Sequence, residues 1–170
     1  MMHSLLTTED RKGKTLIIGL GNTILSDDGV GIYIVRELEK VLDNPDIVTQ
    51  EASMGGLELI DVIADYKRVI LIDSVLSDHE ALGSLIEMNL NDIKGGSAWT
   101  RHQVSLNEAI ALAKEIKMDI TSDITIYGVV VKDISTFSEN CTPEIKSSLP
   151  AIIATIKAKI LSKIHDCPKE

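Results

Sequence analysis

Residues 16–31, LIIGLGNTILSDDGVG, contain the clearest indication of the fold in this chain. This stretch opens with an apolar run typical of a buried strand and turns on closely spaced glycines. It then leads into residues 30–42, whose apolar positions repeat with helical periodicity. A strand, a glycine-rich loop and a helix in this order predict the first half of a βαβ unit. Ligands in open α/β sheets bind outside the carboxyl ends of the strands, so the adjacent acids Asp27 and Asp28 fall where such a fold keeps its chemistry.

The glycines of this loop do not complete a nucleotide-binding motif. A dinucleotide fingerprint needs a third glycine three residues after Gly21, and Ile24 occupies that position. Two carboxylates in the loop would also repel a pyrophosphate, and no Gly-Lys-Ser/Thr follows to form a P-loop. The simplest alternative is a tight turn whose aspartates solvate the loop or cap a helix. That alternative explains one acid better than it explains two.

The rest of the chain alternates between strand and helix patterns, which predicts a three-layer α/β/α domain. Further strands are expected at residues 47–52, 68–75, 82–90 and 123–131, and further helices at residues 57–66, from residue 106, and at residues 142–164. The linker 76–81 is too short for a crossover helix, so the strand after it should run antiparallel to strand 68–75 if the two are neighbours. We therefore expect a mixed, mostly parallel five-stranded sheet with one antiparallel strand, as in phosphorylase/hydrolase-like folds. Ser105-x-x-Glu108 has the pattern of a capping box and predicts the helix start near Leu106.

Composition limits the classes of function. The chain has 170 residues and a formal net charge of −9, which suits one soluble domain and argues against binding to nucleic acid or to anionic membranes. No apolar run approaches the roughly 20 residues of a membrane span. The polar residues 1–14 predict a disordered tail without the apolar centre of a signal peptide, followed by a single domain over residues 15–165. Two cysteines without a C-x-x-C motif fit a reducing, cytoplasmic setting.

Three side chains of metal-ligand type occur in similar local settings. Asp28 follows the first strand, Asp73 follows the apolar run near the carboxyl end of strand 68–75, and His102 lies in a loop just before a helix. If the first and third strands are parallel neighbours, the two acids converge on one edge of the sheet. Two carboxylates and an imidazole suit a borderline divalent ion such as nickel or zinc, with a position left open for water or substrate. Taken singly, each aspartate can equally be a helix cap, and His102 a surface histidine.

The motifs match a known family. GLGNTILSDDGVG, residues 19–31, resembles the signature loop of the hydrogenase maturation endopeptidases, which trim a C-terminal extension from the large subunit of nickel-iron hydrogenases. Five further segments occur in the same order as in that family. These are ASMGGLELID (52–61), VILIDSV (69–75), TRHQ (100–103), YGVVV (127–131) and TPEI (142–145).

The resemblance implies roles for individual residues. It implies that Asp28, Asp73 and His102 are metal ligands and the catalytic set, and that Asp27, Asn22 and the pair 55–56 shape the site. It implies no tightly bound cofactor, since nickel is supplied by the substrate, with cadmium or zinc as substitutes in crystals. The resemblance implies that the partner is a hydrogenase large-subunit precursor. We expect the protein itself to be a monomer.

The sequence leaves several alternatives open. Either a metal-activated water or a water deprotonated by one of the acids would attack the peptide. A small-molecule hydrolase on the same scaffold, and a noncatalytic module that recognises a metal-loaded partner, also fit the residues. Cys141 has no evident base beside it, so we interpret it as structural.

Overall fold

The structure, a computed structural model, describes residues 7–53, 57–89 and 101–165. Within them five strands form one sheet in the order β2-β1-β3-β5-β4, in which every pair is parallel except β4 with β5. The predicted mixed sheet with one antiparallel strand is therefore confirmed. In chain order the elements are α1 (Thr8–Arg11), β1 (Thr15–Leu20), a 3₁₀ turn (Ser26–Gly29), α2 (Val30–Val41), β2 (Ile47–Ala52), α3 (Leu57–Ile63), β3 (Arg68–Leu76), β4 (Leu85–Asn89), α4 (Arg101–Glu115), β5 (Ile124–Val131) and α5 (Pro143–His165).

Helices cover both faces of the sheet. Alternate residues of β1 separate into two apolar clusters, because successive side chains of a strand point to opposite faces. Leu16 and Ile18 pack in the cluster that contains residues of α3 and α4, whereas Ile17 packs in the cluster that contains residues of α2 and α5. The two clusters give the three layers that the alternating pattern predicts.

The glycines of the first loop let α2 begin directly against the sheet. A Cβ atom on Gly31 would overlap the carbonyl oxygen of Ile72 in β3 and lie 2.5 Å from that of Leu20 in β1. Gly21 has a φ of +139°, and a Cβ there would overlap the carbonyl oxygen of Asp28. The glycine spacing that resembles a nucleotide motif therefore serves close backbone packing, which holds the loop over the carboxyl ends of β1 and β3.

The neighbour of β4 in the sheet and the start of α4 differ from the expected ones. The antiparallel strand β4 lies beside β5 and not beside β3, because the fully buried β5 takes the position next to β3. β4 is left at the edge, where its Glu87 pairs with Lys159 at 2.8 Å and Lys163 at 2.9 Å. The helix expected from Leu106 begins at Arg101, so Ser105 lies inside it and the capping-box prediction is wrong. A Ser-x-x-Glu pattern also fits a helix interior, and no glycine or proline in residues 101–104 stops the helix from extending.

Part of the expected disordered tail is helical. Thr7 and Asp10 form a capping box that starts α1. Arg11 then donates to the carbonyl oxygen of Asp61 at 3.0 Å and lies 5.6 Å from the ring centroid of Tyr66. These contacts attach residues 7–14 to the domain, and residues 1–6 lie outside the described part of the chain. No helix among the described residues is long and apolar enough to cross a membrane.

Candidate active site and metal centre

The 3₁₀ turn after β1 carries Asp28. The turn is closed by the backbone N–H of Asp28, which donates to the carbonyl oxygen of Leu25 at 3.0 Å. The Asp28 side chain is partly buried, and its Oδ1 accepts a hydrogen bond from the Ser74 hydroxyl of β3 at 3.3 Å. The first candidate acid thus contacts the strand that carries the second.

Asp73 lies inside β3 and not at its end. β3 continues to Leu76 because β5 pairs with it along this whole length, Asp73 facing Gly128. The predicted strand, residues 68–75, therefore matches β3 to within one residue. β1, however, ends at this level, since Gly19 pairs with Ile72. Asp73 is fully buried at the point where the neighbouring strand stops.

One residue contacts both acids. The backbone N–H of Ser74 donates to Oδ1 of Asp73 at 2.7 Å, while its hydroxyl donates to Oδ1 of Asp28 at 3.3 Å. The structure therefore brings the two carboxylates to the same edge of the sheet, as the parallel pairing of β1 and β3 requires. The sequence alone does not indicate Ser74, because a serine in an apolar strand carries no motif of its own.

The backbone of His102 lies in the first turn of α4, and not in a loop before it. α4 covers the face of the sheet to which Leu71 points. Because side chains of a strand alternate, Asp73 belongs to that same face. The side chain of His102 lies outside the described part of the structure, so its ligand role stays a prediction. Among the side chains that are described, no group of three histidines, cysteines or acids is placed to hold a metal ion.

Asp27, the neighbour of Asp28, has a different environment. It is fully buried and accepts hydrogen bonds from the Thr142 N–H at 2.7 Å, the Thr142 hydroxyl at 3.1 Å and the Asp133 N–H at 3.3 Å. Its own N–H donates to the carbonyl oxygen of Asp133 at 3.0 Å. Asp27 therefore fixes the 3₁₀ turn against the connection between β5 and α5, whereas Asp28 contacts β3 through Ser74.

Other residues of the loop set its shape. Oδ1 of Asn22 accepts from the Ile24 N–H at 3.2 Å, the bond of an Asx turn. The Tyr33 hydroxyl donates to the carbonyl oxygen of Glu139 at 2.7 Å, and burial raises the pKa of this hydroxyl. The expected contribution of residues 55–56 lies outside the described residues.

Two large apolar side chains are exposed beside the 3₁₀ turn. Ile24 is 48% and Phe137 82% exposed. Their segments are joined by backbone hydrogen bonds, from the Ser138 N–H to the Ile24 carbonyl oxygen at 3.0 Å and from the Ser26 N–H to the Ser138 carbonyl oxygen at 2.9 Å. The loop that holds Asp28 therefore also presents an apolar surface.

A cavity of about 610 Å³ lies between α2 and α5 and is separate from the two acids. Leu149, Ile153 and Cys141 are among its lining residues. Burial, and next the nearby Asp27 carboxylate, raise the pKa of the Cys141 thiol to about 11. A thiol with that pKa is protonated at neutral pH, which supports the structural interpretation of Cys141.

Comparison with known proteins agrees with the fold and the motifs. A family model described as hydrogenase maturation protease matches residues 32–159. The chain is 26% identical over 163 residues to the hydrogenase 2 maturation protease of Escherichia coli K12, covering 92% of this chain and 97% of that protein. It is also 26% identical over 154 residues to the coenzyme F420 hydrogenase subunit delta of Methanothermobacter thermautotrophicus, covering 85% and 93% of the two chains.

Solved structures show the same fold. The hydrogenase maturating endopeptidase HybD from Escherichia coli superposes with a TM-score of 0.73 at 19% identity, covering 88% of this chain and 93% of that one. The maturation protease HycI from Thermococcus kodakarensis KOD1 gives a TM-score of 0.68 at 23% identity, with coverage of 86% and 92%. Since the family model matches well over half of its length, the chain belongs to the hydrogenase maturation protease family.

Proposed function

We propose that the protein is an endopeptidase that removes the C-terminal extension of a nickel-iron hydrogenase large-subunit precursor after nickel has been inserted. Asp28, Asp73 and His102 are the proposed site residues. The observation that supports this choice of residues is the contact of Ser74 with both acids, since it links the 3₁₀ turn after β1 to β3 at the carboxyl-end edge, where open α/β sheets bind ligands.

The donor set suits the substrate's metal ion. Two carboxylates and one imidazole are ligands for a borderline divalent cation, and three protein ligands leave room for groups of the substrate. A nickel ion held there would polarise the scissile carbonyl or lower the pKa of a water molecule. Because the ion arrives with the precursor, the proposed site acts only on nickel-loaded substrate.

The protein's own residues have two proposed tasks. Asp28 and Asp73 orient the metal-loaded segment of the precursor, and either acid can accept the proton of the attacking water. Ile24 and Phe137 offer an apolar surface next to that segment. The precursor is proposed as a separate partner protein that a cytoplasmic monomer meets in solution.

The proposal is tested by cleavage of a large-subunit precursor, prepared with and without nickel. We expect wild-type protein to shorten only the nickel-loaded form, and Asp28→Asn, Asp73→Asn and His102→Ala each to lose cleavage. Matched controls are Asp78→Asn and His79→Ala, which change an exposed acid and an exposed histidine of the loop after β3. Cleavage at the wild-type rate by Asp28→Asn would remove the proposed site. Binding of the precursor without cleavage would favour a recognition module.

A further inference from the structure

Ser74 is unusual among the buried residues of β3. It is 2% exposed and lies on the face of the sheet where Ile70 and Ile72 pack against α2 and α5. A hydroxyl buried on an apolar face costs free energy unless it forms a hydrogen bond. Here the bond goes to Oδ1 of Asp28 at 3.3 Å. Alanine would pack at this position without burying a polar group, so we interpret the hydroxyl through its hydrogen bond to Asp28.

The two contacts of Ser74 come from different parts of the residue. Its backbone N–H holds Asp73 at 2.7 Å, and this bond does not depend on the side chain. Its hydroxyl alone reaches Asp28. A substitution that removes the hydroxyl therefore removes the hydrogen bond from Ser74 to Asp28 and leaves the bond to Asp73.

We propose that Ser74 is a positioning residue, which fixes the Asp28 carboxylate relative to Asp73 so that both oxygen donors face one cation. The inference rests on the proposed function of Asp28 and Asp73 as the site acids. Residues that orient metal ligands through hydrogen bonds commonly contribute 10- to 100-fold to metal affinity or activity. For a single neutral donor at this distance we expect the lower end of that range.

The test compares Ser74→Ala with wild type in two measurements. The first is titration of the isolated protein with cadmium chloride, followed by calorimetry. We expect the affinity of Ser74→Ala for cadmium to fall about tenfold. The second is the rate of cleavage of nickel-loaded precursor, in which kcat should fall by a similar factor. KM should rise as well, because the same two carboxylates are proposed to bind the substrate's nickel.

Two variants separate positioning from a loss of packing. Ser84→Ala is the matched control, since the Ser84 hydroxyl oxygen is buried and forms no hydrogen bond within the described residues. It should change neither measurement. Ser74→Thr keeps the hydroxyl and should recover most of the cadmium affinity, provided that circular dichroism shows it folded.

The outcomes distinguish this inference from the proposed function. Wild-type cadmium affinity and kcat in folded Ser74→Ala, together with loss of cleavage in Asp28→Asn, would overturn the positioning role and leave the proposed site intact. Full cleavage by Asp28→Asn would remove the site itself. A tenfold loss in Ser74→Ala that Ser74→Thr reverses would support the inference.

Discussion

The adjacent acids Asp27 and Asp28 should respond in opposite ways to the same substitution. Asp27 accepts three hydrogen bonds in the interior, from both donors of Thr142 and from the Asp133 N–H. Asp28 accepts a hydrogen bond from the Ser74 hydroxyl and is partly exposed. Asp27→Asn should therefore destabilise the fold, and Asp28→Asn should abolish cleavage with little loss of stability.

The magnitude for Asp27→Asn follows from the geometry. An amide has one acceptor oxygen, and its NH₂ group must face either the Thr142 N–H or the Asp133 N–H, so at least one backbone donor loses its acceptor. Hydrogen bonds to charged groups contribute about 1.5–3 kcal/mol, and an unsatisfied buried donor costs about 1–3 kcal/mol. We expect the free energy of unfolding to fall by about 3 kcal/mol, which lowers Tm by about 6–12 °C in a domain of this size.

Asp28→Asn keeps one acceptor oxygen for the Ser74 hydroxyl. Its free energy of unfolding should therefore stay within about 1 kcal/mol of wild type. Urea denaturation followed by circular dichroism measures both variants, and the precursor cleavage assay is run on the same samples at 20 °C or below. If Asp27→Asn is as stable as wild type, or if Asp28→Asn is the less stable of the two, the division between a structural and a site-facing acid is wrong.

Three further predictions concern other parts of the molecule. Gly31→Ala should destabilise the fold by more than about 3 kcal/mol in the same urea assay, because its Cβ would overlap the Ile72 carbonyl oxygen; wild-type stability would refute the proposed backbone packing of α2. In a Cys167→Ser background, Cys141 should react slowly with iodoacetamide at pH 8 and faster only toward pH 11, since the pKa of its thiol is raised. Rapid reaction at pH 8 would show an activated thiol. Because the thiol ionises at lower pH in the unfolded chain, the free energy of unfolding should also fall as pH rises from about 9 to 11. Phe137→Ser should raise the KM for the precursor several-fold without changing the free energy of unfolding, because the side chain is exposed; an unchanged KM would exclude this surface from substrate binding.

The fold could be predicted because its signals are local. The apolar run of β1, the glycine loop and the periodicity of α2 define the first half of the βαβ unit within residues 15–41. The position of β4 could not be predicted from the sequence. Whether β4 lies beside β3 or beside β5 depends on which strand takes the buried place next to β3, and that is set by packing across the whole sheet. α4 begins at Arg101, before the start that the sequence predicts near Leu106, because a capping-box pattern does not distinguish a helix start from a helix interior.

The site could be predicted only in part. The sequence predicts that Asp28 and Asp73 lie at one edge of the sheet, and the structure places them there. Their role as site residues stays a prediction. The different role of Asp27 could not be seen, because its partner Thr142 is 115 residues away along the chain. Ser74 is not indicated by the sequence for the same physical reason, because its hydroxyl bonds to Asp28, which is 46 residues away along the chain and is brought near only by the fold.

Asp28, Asp73 and His102 are proposed to hold one cation together. A crystal structure of the protein soaked in cadmium or nickel shows whether they do. We expect a single ion coordinated by both carboxylates and by the imidazole of His102. An ion bound elsewhere on the protein, or a His102 imidazole directed away from the two acids in the soaked crystal, would contradict it.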